Sequence, residues 1–244
     1  MVNIQVKEIT FTGIEAIIFD KDGTLQNSQD FLRNLAQKRS RLIDAQIPGM
    51  GEPLLMAFGV DGDWLNPAGL MAVGSRRENQ IAAAAYIAET GVGWLESIEM
   101  AKKAFDEADG WLKKDGDLPP LFSGYLEVLK VLHEAGLKLG ILSADSTEAV
   151  KRFVQYSQLS PYIQLQMGVE SELSKPDPAL FLQGCDRLGV TPGMTLMVGD
   201  SPGDIQMAAQ AGAAGCIGIC APTSQQNLKA ANVIISHLNQ IKIK

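Results

Sequence analysis

Short continuous apolar runs alternate along this chain with stretches whose apolar residues recur three and four positions apart. The run Ala16–Phe19 ("AIIF") is closed abruptly by Asp20-Lys21-Asp22-Gly23, the pattern of a buried strand ending in a sharp turn. The next strong strand, "LKLGIL" at 137–142, follows "YLEVLKVLHEAG" at 125–136, which has helical spacing and stops at Gly136. The alternation then repeats. "PYIQLQMGV" predicts a strand, "DPALFLQGCDRLG" a helix, "MTLMVGDS" a strand, "GDIQMAAQAG" a helix, and "AGCIGIC" and "NVIIS" two more strands. Helix and strand in turn predict an α/β fold, a Rossmann-like parallel sheet covered on both faces.

The segment 26–118 breaks this pattern and reads as an inserted all-helical domain, leaving 1–25 and 119–244 as the α/β core domain. Its loops contain Gly and Pro, as in "IPGMGEP" and "VDGDWLNPAG". Ser75 and Glu78 have capping-box spacing ahead of a helix that should stop near Gly91. "WLESIEMAKKAFDEADGWLKK" predicts its closing helix, and Pro119-Pro120 the return to the sheet. Trp64, Trp94 and Trp111 all fall inside the insertion, where at least two are expected to pack its core.

Composition narrows the function classes. With 46% hydrophobic and 20% charged residues, the 244-residue chain is globular. Its 28 Asp and Glu against 21 Lys and Arg leave a net charge of -7, which on average repels nucleic acid and anionic membranes. No apolar run is long enough to span a bilayer and the first residues lack signal-peptide features, so neither nucleic acid nor membrane is expected as a partner. Cys185, Cys216 and Cys220 show no C-x-x-C spacing and His133 and His237 stand far apart, which fits a cytoplasmic protein without a histidine-bound zinc. The oligomeric state is not set by the sequence, and a monomer is compatible with it.

The chemistry gathers at strand ends. In parallel sheets ligands bind beyond the carboxyl ends of the strands, where Asp20, Ser143 and Asp200 all fall. By strand alternation Asp20 and Asp22 should point the same way and Lys21 the other, as a structural or surface residue. Two adjacent carboxylates at a strand end are tolerable mainly where a cation, a proton or a phosphate ligand uses them.

Four pieces, "DKDGTL" at Asp20, "ILSADS" around Ser143, "SKPDP" around Lys175 and "VGDSPGD" from Val198 to Asp204, resemble in order the four motifs of the haloacid dehalogenase superfamily of aspartate-nucleophile phosphatases. The insertion just after the first motif is similar to that family's helical C1-type cap, as in phosphoglycolate phosphatases and β-phosphoglucomutases. The resemblance implies a phosphatase acting on a small phosphorylated metabolite. Asp20 would be the nucleophile and Asp22 the general acid and base. Mg²⁺ would be held by Asp20, the Asp22 backbone carbonyl and Asp200. Ser143 and the Ala144 N–H would bind phosphate oxygens, and Lys175 would neutralise both Asp20 and the transferring group. Asp204 would orient the metal's waters, with capping of the helix it opens as the competing reading.

Ser143 could itself be a helix cap, although Asp145 or Ser146 could serve. Arg76 and Arg77 are the insertion's candidates for a second anionic group on the substrate, against a reading as a solvated first turn. The "QNS" after Leu25 departs from the "V-D-S" common in phosphoglycolate phosphatases, so specificity is not carried over. A phosphomutase of the β-phosphoglucomutase type is the enzymatic alternative, and a non-catalytic phosphometabolite sensor the alternative outside enzymes.

Overall fold

The computed structural model describes residues 1–115, 119–169, 173–220 and 226–244, with the backbone alone for 112–115. The described chain divides into two compact units, residues 1–27 with 121–244, and residues 28–120. The expected boundary after residue 118 lies outside the described residues.

In chain order the elements are β1 (Val2–Val6), β2 (Ile9–Ile14), β3 (Ala16–Phe19), α1 (Gln29–Asp44), α2 (Gly51–Phe58), β4 (Val60–Asp61), β5 (Trp64–Leu65), α3 (Leu70–Val73), α4 (Arg76–Glu89) and α5 (Trp94–Asp115). There follow α6 (Tyr125–Glu134), β6 (Lys138–Leu142), α7 (Thr147–Tyr156), β7 (Ile163–Met167), α8 (Pro178–Leu188), β8 (Thr195–Gly199), α9 (Pro202–Gln210), β9 (Gly215–Ile219), β10 (Val233–Ile235) and β11 (Ile241–Ile243).

The first unit is built on a six-stranded parallel sheet in the order β10-β9-β8-β3-β6-β7. All four residues of β3 are buried, Ile17 and Phe19 in one hydrophobic cluster and Ala16 and Ile18 in the other. Such two-sided burial explains why the strand is continuously apolar rather than alternating. The chain runs outward from β3 through β6 to β7, then returns to the other side of β3 as β8. The strand order therefore reverses between β3 and β8, the position where open α/β sheets form a ligand crevice.

A second sheet, antiparallel and three-stranded in the order β11-β1-β2, was not expected from the pattern. Its first hairpin turns at Lys7, a non-glycine residue with φ of 52°, so it lacks the Asn-Gly signature of a tight hairpin. Ile4 and Val6 of β1 alternate inward, a period-two signal the residues do carry, whereas the inward Phe11 and Ile14 of β2 are three positions apart across a register shift.

Among its described residues the second unit is helical except for loops and the two-residue antiparallel ribbon β4-β5. Leu54, Phe58, Ala83, Ile87 and Phe105 form its core. The Ser75–Glu78 capping box is present, with both reciprocal hydrogen bonds made. The tryptophans depart from expectation: Trp64, Trp94 and Trp111 are 58%, 47% and 51% exposed. Alanines and phenylalanines fill the core in their place, and Trp111 instead lies under the Lys38 ammonium at 4.1 Å.

Candidate active site

The site is assembled where β3 and β8 end. The Asp20 N–H donates to the Val198 carbonyl at 2.8 Å, so the residue after β3 is still registered on β8. The chain then turns at once, with the Leu25 and Gln26 N–H groups both donating to the Lys21 carbonyl. Gly23 takes φ of 79°, and a Cβ there would lie 1.9 Å from Asp200 Oδ2. Glycine serves twice at this position, admitting a left-handed backbone and the close approach of a carboxylate.

Three carboxylates and one ammonium meet in this corner. Lys175 Nζ contacts Asp20 Oδ1 and stands 2.6 Å from Asp204 Oδ1, with all three side chains buried. Carboxylate oxygens of Asp20, Asp200 and Asp204 lie within 4.8 Å of one another. Asp204 sits in the first turn of α9, where Ser201 Oγ donates to its Oδ2 at 2.6 Å and accepts from its N–H at 3.2 Å. The N-cap is therefore Ser201, not Asp204, which closes the capping box from the third helical position while its other oxygen faces Lys175. Gly199 makes room for it, since a Cβ there would lie 2.5 Å from that of Asp204.

The electrostatics follow from burial and crowding. Burial pushes the Asp20 carboxyl up to about 7, with Lys175 opposing and Asp204 and Asp22 adding to the rise. Asp200 is raised well above the usual carboxylate range by burial and then by Asp20 and Asp204. Burial works against the Lys175 charge, yet Asp20 and Asp204 outweigh it and hold this ammonium above the ordinary lysine value. One fixed cation faces three carboxylates. The excess negative charge and the all-oxygen donor set fit a hard divalent cation such as Mg²⁺.

Asp22 is placed differently. Its Oδ2 stands 2.5 Å from Lys21 Nζ and its Oδ1 accepts from Gln26 Nε2 at 2.6 Å. Lys21 is neither surface nor turned away from Asp22. Its side chain is only 6% exposed, and it bridges Asp22 to Asp145 at 2.9 Å. The alternation rule fails here because β3 stops at Phe19, and side chains in a turn do not obey a period of two. No sequence signal identified Gln26 or Asp145, although Gln26 lies four residues from its partner, the reach of a single turn.

Ser143 follows β6 and is buried. Its N–H donates to Met167 at 3.1 Å and its Oγ accepts from the Asp145 N–H at 3.2 Å. The cap of α7 is Ser146, whose Oγ accepts from the Ala149 N–H, so Ser143 is not the capping residue. Ala144 is half-buried beside it. In the second unit Arg76 is committed elsewhere, since it pairs with Asp106 at 2.6 Å and Asp109 at 2.9 Å. Those pairs hold Arg76 within its own unit. Arg77 is exposed on the same first turn.

A sequence model of the haloacid dehalogenase-like hydrolases matches residues 14–212. The chain belongs to that family. Within it, the chain is similar to the phosphoglycolate phosphatase of Salmonella typhi, 29% identical over 202 residues that cover 82% of this chain and 79% of that protein. The phosphoglycolate phosphatase of Escherichia coli K12 is 28% identical over 207 residues, 83% of this chain and 80% of that one. Among solved structures, a predicted phosphoglycolate phosphatase from Haemophilus somnus superposes with a TM-score of 0.71 at 22% identity, covering 93% of this chain and 96% of that one. The β-phosphoglucomutase of Clostridium difficile gives 0.64 at 21% identity, with coverage of 94% and 93%. These likenesses establish the haloacid dehalogenase-like fold for the parallel sheet and its helices. Among the described residues no helix is long and apolar enough to cross a membrane.

Proposed function

We propose that this haloacid dehalogenase-like hydrolase is a Mg²⁺-dependent phosphatase that hydrolyses a small phosphorylated metabolite through an aspartyl-phosphate on Asp20. The observation that carries the reading is the buried corner in which Lys175 faces Asp20, Asp200 and Asp204 at the ends of β3 and β8. Phosphoryl transfer demands little covalent chemistry from a protein beyond positioning and charge stabilisation, and this corner supplies both.

Asp20 and Asp200, with the Asp22 carbonyl, would hold Mg²⁺, which when bound would neutralise charge on the phosphoryl oxygens. A carboxylate oxygen of Asp20 attacks phosphorus, forming one P–O bond as the ester P–O bond breaks. Protonated Asp22 gives its proton to the departing alkoxide. The same carboxylate then takes a proton from water, whose oxygen attacks phosphorus and releases inorganic phosphate and free Asp20. Lys175 balances the charge of Asp20, while the Ser143 hydroxyl and the Ala144 N–H donate to phosphoryl oxygens. The three free thiols, Cys185, Cys216 and Cys220, support a reducing cytoplasm as its setting. The unit of residues 28–120 is assigned the choice of substrate, with Arg77 as its candidate anion contact.

The test is a panel of phosphate monoesters with Mg²⁺, including phosphoglycolate because relatives carry that name, read by release of inorganic phosphate. Wild type should turn over at least one ester, and Asp20→Asn should turn over none. Normal turnover by Asp20→Asn would overturn the nucleophile. With hexose 1-phosphates, an isomer formed without released phosphate would replace hydrolysis by a mutase, and tight binding without turnover of any ester would indicate a sensor.

A further inference from the structure

Lys21 occupies a buried position that the reaction just described does not use. Its ammonium is fixed between two carboxylates, 2.5 Å from Asp22 Oδ2 and 2.9 Å from Asp145 Oδ2, and lies 5.9 Å from the centroid of the Phe153 ring on α7. Burying a lysine in this way is costly unless it is paired and held by several partners. The two partners belong to different loops. Asp22 is in the turn after β3, whereas Asp145 is in the turn after β6 that also carries Ser143, whose Oγ accepts from the Asp145 N–H at 3.2 Å. The Asp145 carbonyl in turn accepts from the Val169 N–H at 2.8 Å, in the loop after β7. Gly168 beside it allows this, because a Cβ there would lie 2.2 Å from that carbonyl oxygen. One ammonium therefore joins the proton-transfer carboxylate to the loop assigned to phosphate binding.

Resting on the hydrolytic reading above, we infer that Lys21 is a positioning residue for proton transfer, holding the Asp22 carboxyl at a fixed place relative to the Ser143 loop so that it meets the leaving oxygen. Gln26 completes the hold from the other side, donating to Asp22 Oδ1 at 2.6 Å. With both oxygens tethered, the carboxyl group has little rotational freedom left, and a displacement of about 1 Å at such a group costs on the order of 100-fold in rate. The inference gives Lys21 no contact with substrate.

The leaving-group dependence of kcat/KM tests it, because a good leaving group departs without a proton and a poor one does not. The series runs from 2,4-dinitrophenyl phosphate through phenyl phosphates to an alkyl phosphate, with saturating Mg²⁺. In Lys21→Met, kcat/KM for the alkyl ester should fall by about 10- to 100-fold and that for the dinitrophenyl ester least of all, so the slope against leaving-group pKa steepens. Lys21→Arg, which keeps a cation on a long stem, should restore the shallow slope. A parallel fall across the series, or no fall, would overturn the inference while leaving the phosphatase reading intact. Failure of wild type to hydrolyse any ester of this series or of the metabolite panel would refute that reading, and the inference with it. Should Lys21→Met not fold, Asp145→Asn loosens the same ammonium from a half-exposed position and must steepen the slope in the same sense; an unchanged slope there overturns the inference.

Discussion

Each unit of this molecule contains a knot of cations and carboxylates, and the two are built to opposite rules. In the helical unit Arg39 on α1 and Arg76 on α4 share Asp109 of α5, and Arg76 also pairs with Asp106. Both guanidinium groups lie near the Phe105 ring, 4.1 and 5.7 Å from its centroid. Among the described residues two cations meet two anions, and the guanidinium groups lie over an aromatic ring that favours cations. That knot pairs each of these charges and ties three helices together. In the sheet unit Lys175 is the one ammonium among the described residues that faces Asp20, Asp200 and Asp204, so the knot keeps excess negative charge in a buried place. Such a cluster is one that a ligand of the opposite sign would complete, in line with the Mg²⁺ proposed above.

The largest effect expected from this contrast is on activity. Asp20→Asn should lower Mg²⁺-dependent turnover by on the order of 10⁴-fold or more, measured as phosphate release, whereas Asp109→Asn in the balanced knot should leave kcat within a few-fold. Lys175→Met removes the sole ammonium from the unbalanced knot and should cost about 3 kcal/mol in urea unfolding without metal, because Asp20 and Asp204 lose their counter-charge. The sharpest comparison uses one kind of substitution in both places. In chelator, Asp200→Asn relieves like-charge crowding and should stabilise the protein by about 1 kcal/mol, while Asp109→Asn should destabilise it. Wild type should then gain about 2–3 kcal/mol from Mg²⁺ at 100 times its Kd, and Asp200→Asn should lose that gain. Equal signs for the two Asp→Asn variants in chelator would break the comparison. The smallest effect belongs to Arg76→Ala. Its side chain is 37% exposed, so its pairs should contribute less than about 1 kcal/mol to thermal stability, with KM unchanged.

Residues that end buried strands were legible before any coordinates. An apolar run four or five long, closed by Asp or Ser and followed by helical spacing, places Asp20, Ser143 and Asp200 on one sheet edge, and Lys175 and Asp204 come with the motif order. The interior of the turn was not legible in the same way. Lys21 was read with strand periodicity where the strand had already ended, and its pairing with Asp145 joins positions more than a hundred residues apart, which no local pattern reports. The same holds for β11. Three residues of "IKI" become a strand only because β1 is there to receive them, as Ile4 pairs with Ile243. The tryptophans show another limit. Indole size predicts burial on average, but the core of α1, α2, α4 and α5 is filled by Leu, Ile, Phe and Ala, and the indoles stay half-exposed.

The position of the insertion between Asn27 and Leu121 has a consequence for the order of folding. β3 and β6 are neighbours in the sheet, yet the whole of the second unit separates them in the chain. Closing a flexible loop of that length costs about 4 kcal/mol of chain entropy. The chain on either side of the insertion is clamped within the sheet unit, through the bridge between Gln26 and Leu121 and the Phe122 N–H donating to the Leu25 carbonyl at 3.2 Å. The insertion has its own hydrophobic core and its own capped helices. If it collapses first, as its local helix pairings favour, it shortens the effective loop that β3 must close to find β6. The unit proposed to choose the substrate would then also act during synthesis as an entropic splint for the central strand of the sheet, and with it for the Asp20 turn.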